Sequence, residues 1–334
     1  MPLVIPVFIP HRGCPHQCLF CNQEKIAGTG RNEQQKVDVA AIVAEWLKRS
    51  PDYDEVQVGF FGGSFTCLPV AEQVSLLLAV QPFIERQQVD CIRISTRPDC
   101  IDPGVCELLQ NYHVEIVELG VQSLTDKVLQ LAQRGHTANQ CRDAFLLLKE
   151  SDMQVGLQLM PGLPGETSRT FLAGVREVVA MEPDFVRLYP VVVVKESGLE
   201  KLYGENRYQP LSLNKAIALT ARSYEKLVGA GIRVVRMGLQ PSETLTQNVV
   251  AGPYHPAFGE LVMSRIWLKK IRTQLALLQP GEEMTIHISN RDQSAVHGKG
   301  RRNIKRLEEL GLGGRFTIVP QKTMARGNIE YVVS

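Results

Sequence analysis

The sequence predicts an α/β protein in which parallel strands and helical crossovers wind into a TIM-like partial barrel, with a small α+β extension after it. Three observations lead to this fold class. Short β-branched runs alternate with amphipathic stretches of helical period. The chemically unusual residues fall just after the strands, where a parallel barrel collects its chemistry. Beyond about residue 240 the rhythm changes and cysteine is absent.

Strands are expected near residues 3–9, 55–61, 90–95, 114–120, 154–160, 184–190 and 232–237. Between them, Ala138, Cys141, Ala144, Phe145 and Leu148 mark one face of a crossover helix over 138–149. Leu213, Ala216, Ile217, Thr220, Leu227 and Val228 mark another over 213–228. The later region reads as a helix near 257–278, a strand in Glu-Met-Thr-Ile-His-Ile-Ser, a basic helix near 301–310 and two short strands. A chain of 334 residues can bury one barrel-sized core and a smaller one, set here as 1–240 and 241–334.

Lys and Arg number 37 against 35 Asp and Glu, so no global field draws the whole chain to polyanions. No basic leader opens the sequence, and no run approaches the ~20 apolar residues that span a bilayer. A soluble cytoplasmic protein without membrane contact is expected. All eight cysteines lie within the first 141 residues, unlike the spread staples of a secreted scaffold, which implies a reducing compartment. Cys91, Cys100, Cys106 and Cys141 read as small core hydrophobes, and Cys67, after a glycine loop, stays more open.

The first strand runs into Cys14-Pro-His-Gln-Cys18-Leu-Phe-Cys21. That spacing lets one loop wrap three thiolates around an iron-sulfur cube, leaving one iron open to chelate a substrate or cofactor. A zinc site wants a fourth Cys or His, which His11 or His16 can supply. A redox dithiol of Cys18 and Cys21 leaves Cys14 without a task. The spacing favours the cluster.

With Phe20 before the last cysteine, this loop resembles the signature of radical S-adenosylmethionine (SAM) enzymes. The resemblance implies a partial (β/α)6 barrel of the radical SAM type, a 4Fe-4S cluster on Cys14, Cys18 and Cys21, SAM as second cofactor, and an external reductant such as flavodoxin or ferredoxin. Gly62-Gly63-Ser64 resembles the family's Gly-Gly-Glu loop, whose bare backbone meets the methionyl amino group, with serine in place of glutamate. Alone, such a glycine pair is also an ordinary strand-to-helix turn. Ser95 suits a ribose, and Arg97 suits a carboxylate or else a neighbouring acid. Gln122 reads as a ribose contact, Ser123 as a helix cap and Met160 as adenine packing.

Together with Arg134-Gly-His-Thr137, Met-Pro-Gly-Leu-Pro and Leu-Tyr-Pro-Val-Val-Val-Val, these loops resemble the radical domain of the Elongator catalytic subunit over roughly residues 5–270. That resemblance implies a tRNA or related nucleotide substrate. The subunit's acetyltransferase domain is not expected because the chain ends too soon for it, and its zinc-binding cysteines are not expected because no cysteine follows Cys141. Oxygen-independent coproporphyrinogen oxidase shares the Gly-Val-Gln-Ser and Arg-Gly-His elements, and a non-catalytic iron-sulfur module is the alternative outside enzymes. Lys195, Tyr203 and Tyr208 are candidates for the substrate side, and His255 is either a proton donor or a loop histidine. Residues 291–306 hold six Lys or Arg against one acid, a phosphate grip or a merely solvated face. Oligomeric state is not legible.

Overall fold

In the computed structural model, the described residues are 2–9, 12–22, 25–26, 37–50 and 53–334. His11, one of the two histidines of the zinc alternative, lies outside them. Seven strands form one parallel sheet: β1 Leu3–Phe8, β2 Val56–Phe61, β3 Cys91–Thr96, β4 Val114–Gln122, β5 Gln154–Leu159, β6 Phe185–Leu188 and β8 Arg233–Met237. They pair in chain order, with β8 after β6, so the curled half-barrel of the expected fold class carries a seventh strand beyond six. A two-residue strand, β7 Val193–Val194, branches off to pair antiparallel with β9 Val249–Ala251.

The period of two along each strand sorts the side chains. Val58, Phe60, Ile92, Ile94, Val117, Leu119, Val155 and Leu157 fill one face and are buried. The other face bears Gln57, Arg93, Glu118, Gln158 and Arg187. Here Arg93 donates to Gln57 at 2.9 Å and ion-pairs with Glu118, while Arg187 reaches Glu118 at 2.6 Å. One carboxylate thus neutralises part of two guanidiniums within a nearly buried network, an arrangement that fails badly when one member is removed. Gly156 makes room on this face: a Cβ there would stand 2.1 Å from the Phe185 ring.

Local chemistry sets the crossover helices. Helix Ala138–Glu150 begins at Thr137, whose hydroxyl and Gln140 form a reciprocal cap. Its five marked residues are all buried. Helix Pro103–Asn111 starts on an Asp102 cap with proline in its first turn. In helix Leu213–Gly229 the buried positions Ala216, Thr220, Ser223 and Leu227 recur at steps of three and four, which leaves Val228 exposed rather than on the buried face.

Two compact units emerge from the packing: Met1–Ala216 with Ser223–Tyr254, and Ile217–Arg222 with His255–Ser334. The division falls after Tyr254, beyond the pattern change near 240, because β9 is tied to β7 of the first unit. The second unit contains helix Phe258–Leu275, strand β10 Met284–Ser289, helices Gln293–His297 and Arg302–Glu309, and strands β11 Phe316–Gln321 and β12 Ile329–Val333. β10 is central, parallel to β11 and antiparallel to β12. Trp267, Ile271, Leu275, Met284, Ile286, Ile288, Val296 and Leu307 make its core. Among the described residues, no helix is long and apolar enough to cross a membrane.

Candidate functional site

The loop after β1 carries the three cysteines, and neighbouring backbone holds it. Leu19 donates its N–H to the Ala132 carbonyl at 3.1 Å and accepts from Leu199 at 2.8 Å. Gly63 sits where a Cβ would lie 2.5 Å from the carbonyls of both Ile9 and Arg12, and Ser64 donates its N–H to the Arg12 carbonyl at 3.0 Å. Gly62 takes φ +89°, a left-handed turn that favours glycine. The two glycines therefore let the loop after β2 lie backbone to backbone against the cysteine loop.

Arg134 also contacts the cysteine loop. Its guanidinium is nearly buried, and it donates from Nη1 to the Cys18 sulfur at 3.3 Å and from Nη2 to the Gly120 carbonyl at 2.7 Å. Gly120 is required for this approach, because a Cβ there would meet Nη2 at 2.7 Å. Gly135 follows with φ +81°, and a Cβ on it would stand 2.2 Å from the His16 ring of the cysteine loop. Arg-Gly-His is thus a seat for that loop, a role the sequence did not disclose. A cation beside an adjacent glycine was its only local signal.

Arg97 is 2% exposed and forked onto Asp99 at 2.9 and 2.8 Å, with a further bond to the Arg134 carbonyl at 2.7 Å. Of its two expected roles, the structure shows the internal ion pair, and among the described residues only its Nη1 finds no partner. Burial would raise the Asp99 pKa, but the His136 ring 3.7 Å away and the Arg97 fork overcome it and hold the carboxyl well below the usual range. Burial also lowers the pKa of His136, against the pull of Asp99. Asp99 thereby anchors Arg97, which in turn holds the backbone at Arg134.

Ser64 is buried, with its hydroxyl 3.2 Å from that of Thr96 and accepting from the Arg97 N–H at 3.2 Å. Ser95 is half-buried on β3. Gln122 holds a left-handed φ of +67° at an irregularity of β4, accepts a bond from the Gln158 amide at 3.1 Å and offers its carbonyl to the Met160 N–H at 2.9 Å. Such a conformation in a buried non-glycine residue is kept only where surrounding bonds over-determine it. Met160 and Phe20 share one apolar cluster with Val128, Leu163, Val191 and Tyr208. The structure therefore brings together Phe20 and Met160, and separately Ser64 and Arg97.

Several expectations change. Ser123 does not cap a helix: helix Asp126–Leu131 begins after Thr125, and the Ser123 hydroxyl donates instead to Glu166 at 3.2 Å. Glu166 also accepts from the Gly162 N–H at 2.8 Å, tying the loops after β4 and β5. Burial pushes its pKa up to about 7, against those two hydrogen bonds. Cys100 is no lone core thiol, since it forms a disulfide with Cys67 that joins the loops after β2 and β3. Lys195 bonds the Gln247 carbonyl, and Tyr208 bonds the Gly162 carbonyl at 2.6 Å. His255 accepts from the Ala257 N–H at 3.0 Å, as a satisfied loop histidine does.

With this geometry in view, comparison with known proteins places the chain. The sequence pattern of the radical SAM superfamily matches residues 8–177, and that of the radical SAM C-terminal domain matches 183–267. The chain belongs to the radical SAM superfamily. Among curated relatives of this radical SAM protein is the tRNA uridine(34) acetyltransferase of Methanocaldococcus jannaschii, 27% identical over 300 residues that cover 78% of this chain and 54% of that protein. Elongator complex protein 3 of Homo sapiens is 32% identical over 190 residues, covering 55% and 34%. The chain thus spans about half the length or less of these relatives. Among solved structures, Methanocaldococcus infernus Elp3 with an N-terminal deletion shares the fold with TM-score 0.64 and 22% identity, covering 81% of this chain and 63% of that one. The superfamily and these relatives mark the protein as an enzyme.

Among the described residues, no three or more His, Cys, Asp or Glu side chains already form a metal-holding group. The donor set nevertheless fits the iron-sulfur cluster the superfamily implies. Three soft thiols sit on one loop, a buried guanidinium donates to one of their sulfurs, and the buried Arg97 Nη1 and Arg134 Nε lack partners.

Proposed function

We propose that the protein is a radical SAM enzyme acting on RNA, with tRNA as substrate class, and that Cys14, Cys18 and Cys21 hold its 4Fe-4S cluster. When bound, the cluster would supply the one electron for reductive cleavage of the SAM sulfonium into methionine and a 5′-deoxyadenosyl radical. Flavodoxin or ferredoxin is the proposed source of the electron.

The observation that carries this reading is the contact of Arg134 with Cys18, since a buried cation donating to a thiol is better matched to a cluster-bound thiolate than to a neutral S–H. The chain's own residues divide the remaining work. Gly62 and Gly63 let the loop after β2 pack backbone to backbone on the cysteine loop, and Ser64 braces that turn against Thr96 and Arg97. Phe20 and Met160 offer apolar surface for an adenine ring, Gln122 and Ser95 polar groups for a ribose. The apolar cluster around Met160 excludes water, which a radical reaction requires. The RNA substrate is supported by what the tRNA uridine(34) acetyltransferase relative is named for.

Anaerobic reconstitution tests the reading: iron and sulfide should load, and 5′-deoxyadenosine should form under reducing conditions. Nucleosides from cells with and without the gene should then differ in RNA. A loaded cluster without 5′-deoxyadenosine would leave a non-catalytic iron-sulfur module, and pigment binding with unchanged RNA would turn the substrate towards porphyrins.

A further inference from the structure

In the second unit, a short loop between two helices carries three residues with positive φ. Between helices Gln293–His297 and Arg302–Glu309 runs Gly298-Lys299-Gly300-Arg301, with φ of +70°, +62° and +61° at Gly298, Gly300 and Arg301. A left-handed arginine is strained and persists only where surroundings hold it. Here they do. Asn303, nearly buried, donates to the carbonyls of Ala295 and Val296 at 3.3 and 3.0 Å and to Ser264 at 2.9 and 3.0 Å, fixing the first helix to the start of the second. A Cβ on Gly298 would press on Asn303 at 3.1 Å, whereas one on Gly300 would meet nothing within 4 Å. The loop is therefore framed from within and open at its tip.

The charge of the tip is as one-sided as its shape. Lys299, Arg301, Arg302 and Lys305 are exposed, and among the described residues none meets a carboxylate. The whole chain is nearly balanced, yet residues 255–334 hold thirteen Lys and Arg against seven Asp and Glu. KH modules clamp about four nucleotides of single-stranded RNA backbone on a Gly-x-x-Gly loop. This loop differs from that pattern at one place, where Arg301 keeps the left-handed conformation a glycine would take and adds a cation. Two short helices around the loop, packed on a three-stranded sheet, complete a β-α-loop-α-β-β unit.

We infer that the Gly298–Arg301 loop of the second unit is a KH-like clamp for the phosphate backbone of single-stranded RNA. The inference rests on the RNA reading above for its ligand, but on residues separate from the radical site. Close approach of phosphates needs bare backbone at Gly300, and Lys299 and Arg301 supply the neutralising charge.

The test uses full-length protein and a fluorescent single-stranded RNA oligonucleotide, titrated at several salt concentrations, with 5′-deoxyadenosine formation measured in parallel. Wild type should bind, and unlabelled duplex RNA of the same sequence should compete poorly. Lys299→Glu with Arg301→Glu should lose at least about tenfold in affinity while SAM cleavage and the unfolding midpoint stay unchanged. Arg301→Gly should still bind, with the salt slope reduced by about 0.7, one phosphate contact. Unchanged binding by the double variant would overturn the clamp and leave the RNA reading standing. No RNA binding by wild type would remove both. If the double variant instead slowed reduction by flavodoxin and left RNA binding alone, the loop would be a dock for an acidic reductant and the clamp would be wrong.

Discussion

The polar face of the barrel sheet and the basic loop of the second unit both gather arginines, and they treat them in opposite ways. On the sheet, Arg93 and Arg187 are turned inward on Glu118, and nearby Arg97 is forked on Asp99, so their charge is spent inside the fold. On the loop, Lys299, Arg301 and Arg302 face solvent. Burial makes the first set structural, because an unpaired buried cation is costly. Exposure makes the second set available, because solvated cations contribute little to stability and much to recognition of phosphates. The same residue type therefore reads as scaffold or as binding surface according to whether water reaches it.

This contrast can be broken, most severely at the cysteines. Replacing any of Cys14, Cys18 or Cys21 by alanine should abolish cluster loading, read from iron content and visible absorbance, and leave the unfolding midpoint of the second unit unmoved. Glu118→Gln should come next, costing about 3 kcal/mol in denaturant unfolding, because two guanidiniums then share no carboxylate. Gly135→Ala should destabilise by about 1–3 kcal/mol, since it strains a left-handed residue and drives a Cβ into His16. Its signature should be poorer iron retention with RNA affinity intact.

The smallest effect is a matter of pH. Burial raises the folded pKa of Glu166 to about 7 from an ordinary 4.5, so the folded state binds the extra proton between those values. Its contribution is full below about 4.5 and falls as pH rises to 7. Glu166→Gln should remove that slope, gaining about 1 kcal/mol relative to wild type between pH 5 and 8 once partial solvent screening is allowed for. Urea unfolding at the two pH values checks it. An equal response in both proteins would show that Glu166 stays ionised in the fold.

Much of this was legible in the chain. All seven strands of the main sheet lie within a few residues of their expected positions, because β-branched runs and glycine punctuation are local signals. The cysteine loop was legible for the same reason, its three thiols lying within eight residues. Ser123 and Arg97 show where local reading stops. Ser123 suits a ribose or a helix cap, and Arg97 a ligand carboxylate or a neighbouring acid, and the choice depended on Glu166 and Asp99 being in reach. Arg301 was visible as charge, but its left-handed backbone was not, since a non-glycine residue does not announce a positive φ.

What the sequence by itself determined is therefore the order of strands and loops, the crossover helix faces, and the three-thiol spacing, all set by neighbours along the chain. Tertiary structure decided that Arg134 reaches Cys18 across 116 residues of sequence, that Cys67 joins Cys100, and that one glutamate serves two arginines. Those contacts exist only once the sheet has curled, because pairing in a buried place is selected by what else is buried there, and no local pattern of residues records it.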